Sequence, residues 1–353
     1  PNACNACHVD RTPTWAAERI RAWFPDPKPG FQTFAEAFDL ADRGAPGART
    51  ALAAVAADAS QSPIARASAV ARLGRGAGPG ALAPITRALE DPDANVRMAA
   101  VGALAAADAA TLAHHLAPLL ADAVRVVRME AARALAGPAQ ARLTGERRTQ
   151  FARALEEYIA AQRFNADRPE AHGSLGNLFL AQGDAEAAGR EFRAAVEIDP
   201  TFVQGWVNLA DVLRGRGIES QAEAVLREGL EHNPRTPALQ HALGLSLVRQ
   251  ERLGEAIPLL AAAAKGGADN PRFAYVYAVA LHDNGRPRDA LRVVSDAVAL
   301  HPHDRELLFT LVLYARQAGD IDEARRRVAV LRELEPEDAE VARLAAEIGG
   351  VRR

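Results

Sequence analysis

The sequence predicts an all-α fold of the solenoid type, and three observations predict it. Ala and Leu recur at helical spacing through most of the 353 residues. A block with an internal offset of 31 residues fills much of the first third. A second block, with a strict 34-residue period, fills the second half. Repeats of this size are helical units that bury their apolar faces only by stacking on neighbours. A short segment of different chemistry stands ahead of both blocks.

That segment, residues 1–30, holds Cys4-Asn5-Ala6-Cys7-His8 and the chain's only two cysteines. C-x-x-C-H is the attachment box of c-type haem. Two thiols three positions apart can each add to a vinyl group of one porphyrin, and the next imidazole then ligates the iron. The cofactor-binding candidates are therefore Cys4, Cys7 and His8, with His8 as metal ligand and haem c as cofactor. A zinc site would need two further ligands at matching spacing, and no third cysteine exists. A thioredoxin-like dithiol would need a strand before it, and only three residues precede Cys4. A chance match without a role stays open. With both thiols in thioethers, a disulfide is excluded.

Thr12-Pro13-Thr14-Trp15 supplies an N-cap and a proline at the first helical position. The helix is expected to run through Ala16, Ile20 and Trp23 to Phe24, and the prolines from Pro25 to Pro29 end it. Trp15 and Trp23 either cover a porphyrin edge or pack this helix on its neighbour.

Over residues 31–137, the stretch from Ala65 to Leu73 aligns with Val96 to Leu104 and with Val127 to Leu135. Asp91 and Asp122 each stand six residues before an arginine of the series Arg66, Arg97 and Arg128. This resembles a compact variant of the HEAT repeat: paired helices, an Asp in the intervening turn, and an arginine ladder. The resemblance implies that the three arginines bridge one repeat to the next.

Residues 138–168 form a connection with one long helix through Phe151, Leu155, Tyr158 and Ile159. From Pro169 the second period sets in. Gly176, Ala210, Gly244, Ala278 and Val312 share one frame, and so do Ala188, Ala222, Ala256, Ala290 and Ala324. Pro200, Pro234, Pro302 and Pro336 also recur, with Ala268 in the third repeat. The pattern resembles five tetratricopeptide repeats over 169–338, with a polar-faced cap helix in 339–353. Phe179, Leu213, Leu247, Leu281 and Phe192 are expected to fill the seams.

The tetratricopeptide resemblance implies a concave groove lined by each repeat's first helix. Its polar positions fall on Asn177, Asn208, Asp211, Arg214, His241, His282 and Arg316. Its apolar ones fall on Val207, Leu245, Tyr275, Val279, Phe309 and Leu313. One subclass clamps a C-terminal carboxylate with two asparagines and several basic residues. Asn177 and Asn208 occupy the asparagine places, but Gly173, Ala238 and Ala242 stand where the bases belong. A general peptide or protein surface remains, or a groove holding another part of the same chain.

A net charge of −3 gives no reason to expect a nucleic-acid or anionic-membrane partner. The longest apolar run, Ile257 to Ala264, is too short to span a bilayer. None of the histidines beyond His8 is marked as a sixth iron ligand. Met98 and Met129 sit at corresponding repeat positions suited to packing. No P-loop, G-x-S-x-G, H-E-x-x-H or dinucleotide fingerprint occurs, and no carboxylate pair is singled out for catalysis.

The whole order resembles the C-terminal portion of a bacterial multihaem c-type cytochrome with such repeats after its haem domain. That resemblance implies an exported electron-transfer protein in the periplasm or outside the cell. Its signal peptide would lie upstream of Pro1, and its partners would be redox proteins or an upstream haem domain. One box is present where that family has several. The alternative expectation is a non-redox scaffold or adaptor with a vestigial box.

Overall fold

The computed structural model describes residues 3–25, 32–75 and 80–350. The expected stop over Pro25 to Gly30 lies outside these, apart from Pro25. Helices dominate, and no strand occurs among the described residues. The N-terminal segment comprises α1 (Ala3–Cys7) and α2 (Pro13–Trp23). In α2 the Thr12 hydroxyl accepts from the Trp15 amide at 3.2 Å, as an N-cap should. Phe24 is the C-cap rather than part of the helix.

The 31-residue array follows as α3 (Ala35–Asp42), α4 (Ala48–Ala57), α5 (Pro63–Arg75), α6 (Leu82–Ala88), α7 (Ala94–Leu104), α8 (Ala109–Leu116) and α9 (Arg125–Leu135). The residues that align at an offset of 31 are those turned inward. Ala69, Ala100 and Ala131 are fully buried, and Leu73, Leu104 and Leu135 nearly so. Alanine at the crossing lets α5, α7 and α9 pack side by side, while leucine fills the space beside it. Arg66 pairs with Asp91 at 2.9 Å and Arg97 with Asp122 at 2.8 Å, so each arginine reaches the next repeat's turn. Arg128 reaches Glu157 instead.

Glu157 lies on α10 (Gly145–Phe164), the long connecting helix. The 34-residue array then begins. Its first helices are α11 (Pro169–Ala181), α13 (Val203–Gly215), α15 (Pro237–Arg249), α17 (Pro271–Asp283) and α19 (Arg305–Gln317). Its second helices are α12 (Ala185–Ile198), α14 (Glu219–His232), α16 (Leu253–Gly266), α18 (Pro287–Leu300) and α20 (Ile321–Leu334). Three first helices open on proline, which lacks only an N–H that would be unpaired there. α21 (Ala339–Gly350) closes the array.

Small residues sit where paired helices cross. A Cβ on Gly176 would stand 2.6 Å from the Phe192 ring, and one on Gly244 2.6 Å from Leu260. Neither site has room for alanine unless its partner moves. Leu213, Leu247, Leu281 and Phe192 are buried, while Phe179 is half-buried against the same core. The apolar interior divides into three clusters: the first array with α10, the first three repeats of the second, and the last repeats with α21. The two arrays also touch far from their junction. The His303 Nδ1–H donates to the Arg43 carbonyl at 2.9 Å, across 260 positions.

Candidate functional site

The segment carrying the cysteine box is built locally. Cys4 and Cys7 lie three residues apart on α1, so both thiols are on one side of the helix. Cys4 is half-buried, Cys7 exposed, and both are free. The His8 amide donates to the Cys4 carbonyl at 2.9 Å and continues the turn. Its imidazole is exposed and lies 5.0 Å from the Trp15 ring, tilted by 58°. The Asn5 carboxamide donates to the Arg11 carbonyl at 2.8 Å and ties the loop back onto α1.

The donor set fits covalent haem attachment: two free thiols on one helical side, followed by an exposed imidazole. Among the described residues no three His, Cys, Asp or Glu side chains form a metal-ion site. Thioether attachment needs no such set, because the sulfurs bond to carbon. Trp15 is half-buried, whereas Trp23 and Phe24 are 64% and 59% exposed, with Ile20 exposed beside them. Among the described residues Trp23 is therefore left largely uncovered.

The thirteen residues expected in the groove are all half-buried or exposed; none is buried. The structure brings them together as two chemically distinct halves. In the first two repeats the Gln204 carboxamide donates to Asn208 at 2.6 Å, and Asn208 donates to Asn177 at 3.3 Å. Arg214 pairs with Asp211 at 3.1 Å, and Val207 is half-buried beside them. This half presents a chain of amides and one neutralised charge pair.

From α15 onward the same positions turn apolar and aromatic: His241, Leu245, Tyr275, Val279, Phe309 and Leu313. His241 and Phe273 stand 4.7 Å apart between ring centres. The Arg272 guanidinium lies 5.0 Å over Tyr275, and Arg305 lies 5.9 Å over Phe309. His282 stacks on Tyr314 at 4.7 Å with the planes 5° apart, and its Nε2 lies 2.9 Å from the Gln317 side-chain oxygen. Sequence reasoning missed Gln204, Phe273, Tyr314 and Gln317. The 34-residue frame carried signal only for the positions that face the groove directly.

Charges along this face are balanced. Arg272 pairs with Glu306, Arg249 with Glu219 at 3.0 Å, and Arg316 with Glu347 at 2.8 Å. Burial, assisted by nearby Arg272, pushes the His241 pKa down to about 4, so its ring is neutral at ordinary pH. Its Nδ1 is buried without a hydrogen-bond partner. Burial pushes the Tyr314 phenol up to about 12, helped by Asp283 and Tyr275. The His241 and Tyr314 rings therefore stay uncharged near neutrality.

No helix among the described residues is long and apolar enough to cross a membrane. The family profile of HEAT repeats matches residues 40–136. One tetratricopeptide repeat profile matches residues 179–245 and 281–348, and a second matches 139–201 and 241–305. No curated protein matches the chain in sequence. Among solved structures, YrrB, a tetratricopeptide repeat protein with an unusual peptide-binding site, is 16% identical. It covers 54% of this chain and 97% of its own, with a TM-score of 0.40. The pilF protein of Pseudomonas aeruginosa is 21% identical, covering 53% of this chain and 90% of its own, with a TM-score of 0.43. A thermophilic protein of the same repeat class from Thermus thermophilus is 20% identical over 52% of this chain and 100% of its own, with a TM-score of 0.39. The chain is a tetratricopeptide repeat protein, its repeats matched between residues 139 and 348, with HEAT repeats ahead of them over 40–136.

Proposed function

We propose that this chain is a docking scaffold whose first-helix groove takes a peptide or protein segment. The observation that carries the reading is the groove itself, a face of half-buried and exposed side chains along the first helices of the five repeats. Amides at one end suit the backbone of an extended segment, and neutral rings at the other suit its apolar side chains. Since the arginines of this face already hold acids, a strongly charged tail gains little from it.

A display library of random peptides, selected on the purified chain, tests the proposal. Selected peptides should bind the parent chain, and Tyr275→Arg with Phe309→Arg should abolish that binding. An arginine introduced on an exposed second-helix position, Glu228→Arg, should leave it intact. Failure to enrich any peptide, or binding indifferent to both groove changes, overturns the reading.

A second reading is favoured by one observation, the two free thiols on one side of α1 with His8 next to them. In it Cys4 and Cys7 would hold a haem through thioether bonds, and the His8 imidazole would offer a nitrogen to its iron. Such a haem would carry one electron at a time, and the chain would be an exported electron-transfer protein that docks redox partners through its solenoid. Export would place it in the periplasm or outside the cell. Haem staining after denaturing electrophoresis of protein made with cytochrome c maturation tests this reading. Stain lost on Cys4→Ala with Cys7→Ala supports it, and an unstained parent chain overturns it.

A further inference from the structure

Three alanines coincide at the seam between the third and fourth repeats of the 34-residue array. Ala264 stands where the other repeats carry Val196, Leu230, Val298 and Arg332. Ala274 stands where they carry His172, Trp206, Gln240 and Leu308, and Ala268 replaces the recurrent proline. The truncations open a cleft of about 280 Å³, floored by Tyr277, Val293 and Ala297 and edged by Leu300. It also marks a break in the core, because the second and third apolar clusters meet here through the half-buried Tyr277.

The cleft is separate from the groove. On α17 Tyr277 lies about 200° around the helix from Tyr275, at about 100° per residue, so the two rings face opposite ways. Leu300, on the rim, is 65% exposed, which is unusual for so large an apolar side chain. Lys265 and Asp296 also line the cleft, and neither has an ion-pair partner among the described residues. Nearby Asp289, by contrast, holds both Arg286 and Arg292.

We infer that this seam is a second docking site, which takes one aromatic side chain from a partner segment carrying an acid and a base beside it. The size argues for a side chain, since the volume lies just below the roughly 300–1,000 Å³ of small-molecule sites. Aromatic anchors that fill small apolar pockets dominate the binding energy of protein interfaces. The charges argue for the flanks: an acid of the partner meets Lys265, and a base meets Asp296. Steric relief alone does not explain the three alanines, since the equivalent seams accept Val, Leu and Trp.

The test uses the full chain labelled at alanine methyls. Its probe is a helical peptide with a single Trp, a Glu one turn before it and an Arg one turn after. Saturable shifts are expected at Ala264, Ala268 and Ala274, and not at Ala242 on the first-helix side. Trp→Ala in the peptide should abolish them. So should Ala274→Leu, the residue at Leu308, which fills the cleft; Ala264→Leu, after Leu230, serves if that variant folds poorly. Tyr275→Arg, which disables the groove, should leave the shifts unchanged, so the two sites fail separately. No shift up to millimolar peptide overturns the site, as do shifts that survive filling the cleft or removing the Trp.

Discussion

One guanidinium nitrogen of Arg128 contacts both carboxylate oxygens of Glu157, at 2.9 and 3.0 Å. This contact joins the first array to the connecting helix. In the two preceding rungs, Arg66 and Arg97 reach an aspartate 25 residues ahead, in the next repeat's turn. No such turn follows Arg128, and the acid comes from α10. The other guanidinium nitrogen caps the Asp122 carbonyl at 2.8 Å, as Arg97 does for Asp91 at 2.8 Å. One ladder thus runs through the junction.

The rungs differ in burial, and that sets what their loss costs. The Arg97 and Asp122 side chains are 14% and 7% exposed, against 24% and 32% for Arg128 and Glu157. Arg97→Ala strands a nearly buried carboxylate and is expected to cost about 3 kcal/mol. Arg128→Ala leaves Glu157 reachable by water and is expected to cost about 1 kcal/mol. Urea unfolding of the two variants beside the parent checks the ranking. Equal losses would mean that burial is not what strengthens the inner rung.

The same rungs predict an acid limit for the first array. Burial alone would raise the carboxyls of Asp91 and Asp122, but hydrogen bonds from Arg66 and Arg97 and from backbone N–H groups more than reverse it. Both pKa values end below the ordinary aspartate range. A lowered folded-state pKa means that the stabilisation is present above the unfolded value of about 3.9 and fades as pH falls through the folded value. Unfolding midpoints should therefore be flat above about pH 5 and drop below about pH 4. Circular dichroism melts across that range, with Asp122→Asn as the variant that flattens the acid limb, check this.

Much of this architecture was legible in the sequence, for a physical reason. A repeat must bury the same positions in every copy, so the frame through Ala188, Ala222, Ala256, Ala290 and Ala324 appears directly as period. Proline at Pro169, Pro237 and Pro271 marks helix starts because its missing N–H costs nothing there. The groove positions were expected from the tetratricopeptide resemblance that this frame carries, and the cysteine box from its own spacing. The Glu157 partner did not, since it breaks the 31-residue frame at the one place where the frame ends. Nor did the Arg43–His303 contact, because small rotations summed over many repeats leave no trace in any one of them.

A break in the turn pattern yields a stabilising change. The residue that turns from first to second helix has positive φ in all five repeats: Gly183, Gly217, Gly285 and Gly319, with Glu251 at φ 60° in the third. A side chain in this region costs roughly 1–2 kcal/mol, partly offset by the greater freedom glycine has when unfolded. Glu251→Gly is expected to gain about 0.5–1 kcal/mol and to raise the thermal midpoint. Gly217→Glu should do the reverse. A drop in midpoint for Glu251→Gly would show that the Glu251 side chain makes a compensating contact.

The contact between the arrays can be captured covalently. A Cβ built on Gly44 stands 3.5 Å from the His303 Cβ, at the short end of the roughly 3.5–4.5 Å range of disulfides. With Cys4→Ser and Cys7→Ser removing the native thiols, Gly44→Cys and His303→Cys should oxidise to an intramolecular disulfide. Gly44 has φ 62°, so the new cysteine starts with backbone strain, and Arg43→Cys paired with the same partner serves as the unstrained comparison. A single neutral hydrogen bond contributes about 1 kcal/mol net, so the ends should also part readily when nothing locks them. The oxidised protein should migrate faster on non-reducing gels and show a smaller radius in solution scattering than its reduced form. Thiols that stay free under mild oxidation in both pairs would place the α3–α4 turn and His303 apart in solution.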